Sequence, residues 1–383
     1  VTLLDNGKLE GLQGVLETGE GEVILPQPNK SFLVKNGKIY FEYDRNESKV
    51  DIKQVSIDTE FGASIGTGAL YLNNLDSRAL IATGQFELND TKLYASNALQ
   101  QDLEIEKILT DIRVDLNSNS IEFGQYFAQF PTFGIVGNGK LKASSHGVTG
   151  LSKFSISDLS TEALVKSWPF KKGMKSKVWA VKNINKGYFK NINGEVSLDP
   201  IKGHNVQVSF EFDDAIFQVL EGLGPVIEAN GYGALTNNTF SIGLETGYLS
   251  SNSKDLIDIS GSTLIIKEDE NLIPNIYIDM MSVSSLPATF KILEGLPKKY
   301  QIPENLLSLK IKGISLANTK LSFPLENKLQ EKQISFSTFA ELKSISSNHI
   351  MGKKNFFAKN LYLRADDNGM SIQGEVNVGE LSI

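Results

Sequence analysis

The 383-residue sequence has no cysteine, three histidines and no long apolar run. Without cysteine the chain has no disulfide, no thiolate metal site and no thiol nucleophile. His146, His204 and His349 stand alone, without the spacing of a zinc site. No stretch approaches the ~18 apolar residues that cross a bilayer as a helix, and the first residues lack the basic-then-apolar pattern of a signal peptide. Because the chain opens without Met, in what reads as a strand, we expect it to be part of a longer protein.

Positive charge is in deficit, with 38 Lys and Arg against 45 Asp and Glu and a net charge of −7. This balance disfavours binding to a nucleic-acid backbone. Catalytic signatures are also missing: there is no kinase signature and no phosphate loop. Asp213 and Asp214 are adjacent in a strand and point to opposite faces, so they cannot act as a paired acid and base. The sequence therefore predicts a non-enzyme with no cofactor and no metal.

What the sequence does have is alternation of apolar and polar residues with period two, which indicates half-buried strands. Clear examples are 38–43, 50–58, 112–116 and 206–212. Six Asn-Gly pairs predict tight hairpin turns between antiparallel strands. They begin at Asn6, Asn36, Asn138, Asn193, Asn230 and Asn368. A turn every ~10 to 12 residues would give about 30 strands, too many for one flat sheet. The fold class expected is mainly β: an elongated, twisted antiparallel sheet curled into an apolar groove, with a few short helices.

Short helices are predicted at three places by apolar spacing and by nearby Gly or Pro, near 171–185, 215–221 and 287–294. A weak repeat, Gly-x-Gly-x-Leu, starts at Gly66, Gly137 and Gly231. Its unequal spacing does not fit a regular solenoid. We interpret it as a device that opens strands and allows a bend or a close approach of the backbone.

A lysine-rich segment, 166–186, contains seven lysines, no acidic residue and both tryptophans of the chain. Such a segment suits contact with anionic lipid headgroups, and equally a solvated helix whose tryptophans close the core. The candidate headgroup or membrane contacts are Trp168, Lys171, Lys172, Lys175, Lys177 and Trp179.

With so little helix, the apolar strand faces must either pack on each other or line a surface for a ligand. A dry concave sheet suits acyl chains, because hydrophobic transfer requires no specific side chain. The candidate groove residues, which alternate along three segments, are Val206, Val208, Phe210, Phe212, Phe240, Ile242, Leu244, Leu307, Leu309 and Ile311.

Several short segments of the sequence resemble motifs of the AsmA-like family of bacterial envelope proteins, in its YhdP-like branch. They are SWPF (167–170), VWAVKNI (178–184), GYF (187–189), VSFEFDDA (208–215), GLGPVI (222–227), GYG (231–233) and FSI (240–242). The later segments are 293–297, IKG (311–313), LSFPL (321–325) and GMSIQG (369–374). The resemblance covers residues 150–383, whereas residues 1–149 share only the strand rhythm, closest between Gly37 and Leu70.

The resemblance implies two regions, β-groove repeats at 1–149 and an AsmA-like region at 150–383. It also implies a periplasmic protein, tethered to the inner membrane by a segment absent from this chain, that conducts phospholipids to the outer membrane and supports its biogenesis. Its partners would be phospholipids or other acyl-chain lipids, membrane surfaces and other envelope proteins, with no nucleic acid. The alternative is a structural or adhesive extended β-protein, a solenoid or stalk, of the cell envelope. An outer-membrane barrel is disfavoured, because Tyr and Phe occur throughout the strands rather than in two girdles.

Overall fold

A computed structural model describes most of the chain. The described residues are 1–3, 5, 9–25, 30–73, 80–95, 101–167, 182–201, 203–219, 223–236, 239–250, 256–268, 274–294, 308–325, 333–350, 354–379 and 381–382. In this part the chain is mainly β, and its strand pairings are antiparallel. The predicted fold class, mainly β and antiparallel with a few short helices, is confirmed.

The first strands are β1 (Thr2–Leu3), β2 (Leu9–Thr18), β3 (Gly21–Leu25), β4 (Lys30–Asp44), β5 (Lys49–Thr59), β6 (Gly62–Asn73), β7 (Ile81–Leu93), β8 (Leu103–Asp115), β9 (Ser120–Gln129), β10 (Gly134–Ser144) and β11 (Gly147–Ser160). Then follow α1 (Thr161–Ser167), β12 (Ile184–Asp199), β13 (Gly203–Phe217), β14 (Val226–Thr236), β15 (Thr239–Ser250), β16 (Leu256–Asp258), β17 (Thr263–Glu268) and β18 (Pro274–Ser285). The last elements are α2 (Leu286–Glu294), β19 (Lys312–Pro324), β20 (Ser335–Ile350), β21 (Lys354–Asp366), β22 (Gly369–Gly374), β23 (Asn377–Val378) and β24 (Leu381–Ser382).

Two compact units divide the chain. Unit 1 comprises Val1–Leu159, Ala163–Val178 and Asn191–Val208, and unit 2 comprises Ser160–Glu162, Trp179–Lys190 and Ser209–Ile383. In unit 1, β2 pairs with β4, and β4 to β11 then pair in chain order. In unit 2, β14, β15, β17, β18, β19, β20, β21 and β22 pair in that order. The division predicted at residue 150 rests on the resemblance and stays a prediction.

The Asn-Gly pairs are mostly not turns. The pairs at Asn36, Asn138, Asn193 and Asn230 lie inside β4, β10, β12 and β14, so the hairpins predicted there are wrong. Only the pair at Asn368 lies at a hairpin, between β21 and β22, and Asn6-Gly7 is outside the described residues. The four glycines serve instead as points of close approach between neighbouring strands. Gly37, for example, would place a Cβ 3.0 Å from the Thr18 methyl carbon.

Many of the real turns begin with an aspartate at the end of a strand. The Asp115 carboxylate accepts hydrogen bonds from the backbone N–H groups of Asn117 (2.9 Å) and Ser118 (3.1 Å). Asp44 and Asp366 accept pairs of backbone N–H groups in the same way. A carboxylate that accepts the amides two and three residues further on stabilises a tight turn. Ser48 and Asn119 complete two of these turns with positive φ, 49° and 50°. Strands of 15 or 16 residues, such as β4 and β12, separate such turns.

Of the predicted helices, 287–294 is confirmed as α2. The helix predicted at 215–221 is wrong at its start, because β13 continues to Phe217 with Ala215 and Phe217 both buried on one face. The helix predicted at 171–185 lies largely outside the described residues. In its described part, residues 182–183 are helical and β12 begins at Ile184. The short helix α1 was not predicted.

Candidate functional site

One face of the unit 1 sheet is apolar from β2 to β11. In an antiparallel pair, residues directly opposite one another project from the same face of the sheet. Phe86 lies opposite Thr110 and Gly68, and Leu88 lies opposite Ile108 and Gly66. The same face continues in both directions across the sheet through Leu12, Leu16, Ile39, Phe41, Ile52, Val55, Leu70, Ile112, Val114, Phe123, Tyr126, Leu141 and Phe154. Most of these side chains are half-buried, so the face is not a closed core.

Large side chains on this face lie over glycines of the neighbouring strand. A Cβ on Gly68 would stand 2.6 Å from the Phe86 ring, and one on Gly66 would stand 2.7 Å from a Leu88 methyl carbon. The Gly-x-Gly repeats are therefore inside strands, not at strand openings as predicted, but the close approach expected at them is confirmed. An aromatic side chain covers the backbone that a cross-strand glycine leaves bare.

A concavity of about 400 Å³ lies on this face, across β7 to β11. It is lined by Leu88, Ile108, Thr110, Phe123, Tyr126, Gly139, Lys140, Leu141, Leu151 and Ser152. Its size lies in the range of ligand pockets in proteins, about 300 to 1,000 Å³. Apolar side chains with a few polar groups are also the usual composition of such pockets.

The polar groups of the concavity are three hydroxyls. The Tyr126 hydroxyl is 3.0 Å from the Ser152 hydroxyl, which donates a hydrogen bond to the Asn138 carbonyl oxygen at 3.1 Å. The Thr110 hydroxyl donates to the backbone carbonyl oxygen of Gln125 at 3.3 Å. Lys140 reaches the lining from the other face, where its ammonium pairs with Glu122 at 3.7 Å.

The other face of the unit 1 sheet carries a series of cross-strand ion pairs. Lys107 lies 2.8 Å from Glu87 and Lys38 lies 3.4 Å from Glu17. Further pairs on this face are Lys53 with Glu42 and Lys153 with Glu195. The hydrogen bond and charge of Lys107 hold the pKa of Glu87 below its usual value, although burial opposes the shift. Leu109, 40% exposed, is one of the apolar exceptions on this face.

The structure brings together five of the groove residues predicted from sequence, on one face of the unit 2 sheet. Phe210 packs against Phe189 and Phe240, with ring centroids 5.4 and 6.2 Å apart, and its ring lies over Gly233. Phe212 is 3% exposed and lies against Gly231, which is opposite Leu244. Ile242 packs against a buried cluster of Leu264, Ile276 and Phe323.

The remaining predicted residues are placed apart from these five. Val206 is exposed and Val208 half-buried in the part of β13 that belongs to unit 1, and Leu309 is half-buried before β19. Ile311 packs against a second cluster of unit 2, made of Leu286, Ala340, Leu342, Ile345, Ala358 and Leu361. Leu307 and all six candidate headgroup contacts, Trp168, Lys171, Lys172, Lys175, Lys177 and Trp179, lie outside the described residues.

Helix α2 covers part of the unit 2 face. Leu286, Ala288 and Ile292 are its buried residues, and Leu286 belongs to the cluster that joins β20 and β21. Pro287 occupies the first turn, where a missing N–H costs nothing, and the Ser285 hydroxyl accepts a hydrogen bond from the Ala288 N–H at 3.3 Å. In unit 2 the apolar face is therefore closed by a helix where α2 lies.

Metal-binding chemistry is not visible in the described part of the chain, which holds no group of three or more His, Asp or Glu side chains placed to share an ion. Among the same residues, neither helix has the length and apolar character that crossing a bilayer requires. Comparisons of the chain with protein-family models, with curated proteins and with solved structures found no match.

Sequence reasoning did not single out the concavity of unit 1. Its lining lies between residues 88 and 152, where the sequence predicts strands but no site. Two sequence features are related to it: the alternation at Ile112 and Val114, and the Gly-x-Gly motifs at 66–68 and 137–139. These show an apolar face with large side chains over glycines, but not where the sheet curves around a cavity.

Proposed function

We propose that this protein binds acyl-chain lipids on the apolar face of unit 1, as a lipid-binding segment of a bridge-like envelope protein that conducts phospholipids. The observation that carries the proposal is the concavity on β7 to β11, set in a half-buried apolar face that extends from β2 to β11. Such a surface gains roughly 0.8 kcal/mol for each methylene that leaves water, without any specific contact.

The asymmetry of the two faces supports this binding mode. Charged residues that pair across strands occupy one face, and apolar residues and glycines occupy the other. An apolar face of this size on a soluble sheet normally has a partner or a ligand. An acyl chain slides along such a face, because no single side chain holds it. A passive conductor needs no catalytic group, so the proposal includes no enzymatic activity.

The cellular setting belongs to the proposal and rests on the resemblance to the AsmA-like family. In that setting the chain stands in the periplasm, tethered to the inner membrane by a segment outside this sequence. Its partners are phospholipids and membrane surfaces. The lysine-rich segment with Trp168 and Trp179 would contact anionic headgroups.

The test is mass spectrometry of lipids extracted from the chain purified in mild detergent from a bacterial host. A soluble protein of similar size, purified in the same way, is the control. We expect about one or more phospholipids per chain. A folded, monodisperse protein without lipid would contradict the proposal.

A structural role in the envelope is the second candidate, favoured by unit 2. There the helix α2 covers part of the apolar face, and the apolar side chains pack into two buried clusters. A face that is packed in this way is a core and offers no surface for a ligand. A lipid-free protein in the extraction experiment would support this role.

A further inference from the structure

The three hydroxyl groups in the concavity of unit 1 have no proton left for a ligand. The Asn138 carbonyl can only accept, so the Ser152 hydroxyl uses its single proton on that oxygen. The contact between Tyr126 and Ser152 is then a hydrogen bond only if Tyr126 donates. The Thr110 hydroxyl has two backbone carbonyl acceptors within reach, Gln125 at 3.3 Å and Asp111 at 3.4 Å, and donates its proton there.

What remains toward the cavity is a set of oxygen lone pairs. A hydroxyl oxygen has two acceptor positions, and donating its proton leaves them in place. Ser152 lies within hydrogen-bond distance of Tyr126, whose phenol group reaches across Gly137 toward β11. The lone pairs of the Tyr126 and Ser152 oxygens thus form one accepting spot in a mostly apolar lining.

The tyrosine is held in this place by glycine. A Cβ on Gly137 would lie 2.5 Å from Cζ and Oη of Tyr126, and one on Gly139 would lie 3.3 Å from Oγ of Ser152. Any side chain at Gly137 would push the phenol group away from Ser152. The accepting spot is therefore built into the sheet, by residues of β9 to β11.

We propose that this spot selects acyl ligands that carry a hydrogen-bond donor, a hydroxyl above all, over ligands whose polar group only accepts. The inference rests on the proposed lipid binding and adds a preference within it. A ligand hydroxyl gains a hydrogen bond to the lone pairs, whereas an ether or ester oxygen would face them without a proton to share. Burying such unpaired acceptors lowers affinity.

Two probes of equal chain length test the preference: 1-dodecanol and its methyl ether. Each displaces a fluorescent acyl probe from the full chain in an equilibrium titration. For one net hydrogen bond we expect the alcohol to bind about 3- to 10-fold more tightly than the ether. In the double variant Tyr126→Phe with Ser152→Ala, the phenyl ring still covers Gly137 and the ratio falls to about 2 or less.

Tyr71→Phe is the matched control. Tyr71 is exposed on the opposite face of the sheet, opposite Thr83, so its loss of a hydroxyl should leave the ratio unchanged. Thermal unfolding of each variant checks that it is folded. A second variant, Tyr126→Phe alone, removes the phenol oxygen and reports on the spot if the double variant does not fold.

The outcomes separate the two proposals. If both probes bind wild-type protein within twofold of each other, or if the variants keep the full preference, the selectivity is wrong and lipid binding stands. If neither probe displaces the acyl probe, the proposed lipid binding and the selectivity both fail.

Discussion

The end of the Tyr126 ring lies directly over Gly137 of the neighbouring strand, 2.5 Å from the position that a Cβ would occupy. The backbone carbonyl of Lys153 is also close to that position. Neither a strand carbonyl nor a hydrogen-bonded ring can move away freely.

Gly137→Ala should therefore destabilise the protein by about 1 to 3 kcal/mol, the usual effect of overpacking. Gly124→Ala is the control, since a Cβ there would meet only Asp111 at 3.8 Å, an ordinary contact. Urea unfolding of the two variants checks the difference. Equal midpoints would show that the sheet relaxes around Gly137 and that the ring is not held there.

The apolar and polar faces of β8 predict opposite results for two adjacent residues. Ile108→Asp places a carboxylate in the concavity, so acyl-probe binding should weaken by about tenfold or more. Leu109→Asp places the same group on the outer face, where the side chain is 40% exposed, and should leave binding unchanged. The measurement is probe titration with circular dichroism as the check on folding. Loss of binding in both variants would mean that the concavity is not the binding surface.

Substitution of Phe212 tests whether the apolar face of unit 2 is a closed core or a groove. It is 3% exposed, so Phe212→Ala should lower the free energy of unfolding by about 3 to 5 kcal/mol. Met370, 58% exposed on β22, is the control, and Met370→Ala should be within about 0.5 kcal/mol of wild type. A mild effect at Phe212, with loss of bound lipid instead, would assign it to a groove, as the sequence prediction had it.

Helix α2 should be held by its buried side. Ile292 is 5% exposed, and Ile292→Ala should cost about 2 to 4 kcal/mol, whereas the exposed Lys291→Ala should cost little. Hydrogen exchange of the α2 amides would locate the change. Unaltered protection in Ile292→Ala would contradict the view that α2 closes the unit 2 face.

The aspartate turns predict a dependence on pH. The backbone N–H and hydroxyl of Ser118 hold the pKa of Asp115 below its usual value. A carboxyl with a lowered pKa in the folded state stabilises the fold above its unfolded pKa, about 3.9, and this stabilisation is lost as pH falls through the folded value. Asp115→Asn keeps an accepting oxygen but no charge, so its stability deficit should shrink between about pH 6 and pH 3. A deficit that is constant over this range would show that the charge has no role in the turn.

The alternation of apolar and polar residues was sufficient to predict the mainly β class, and apolar spacing with Pro287 and a following Gly predicted the helix α2. The antiparallel pairing was predicted from Asn-Gly turns, most of which lie inside strands. The class and the helix rest on interactions between residues near one another in the chain, because strand periodicity and helix caps are local. The placement of Phe210 and Phe212 on the same face of β13 follows from the same period of two. The sequence also predicted close approach at the Gly-x-Gly words.

Tertiary structure decided the rest. Whether Asn138-Gly139 makes a turn or a strand depends on Ser152, which lies opposite Gly139 only after β10 and β11 have paired. Strand propensity alone does not decide whether residues 215–217 are strand or helix. They are strand because this places Ala215 and Phe217 together on one buried face. The concavity lies on β7 and the four strands that follow it, and whether an apolar face is closed by a helix or left open depends on what packs against it.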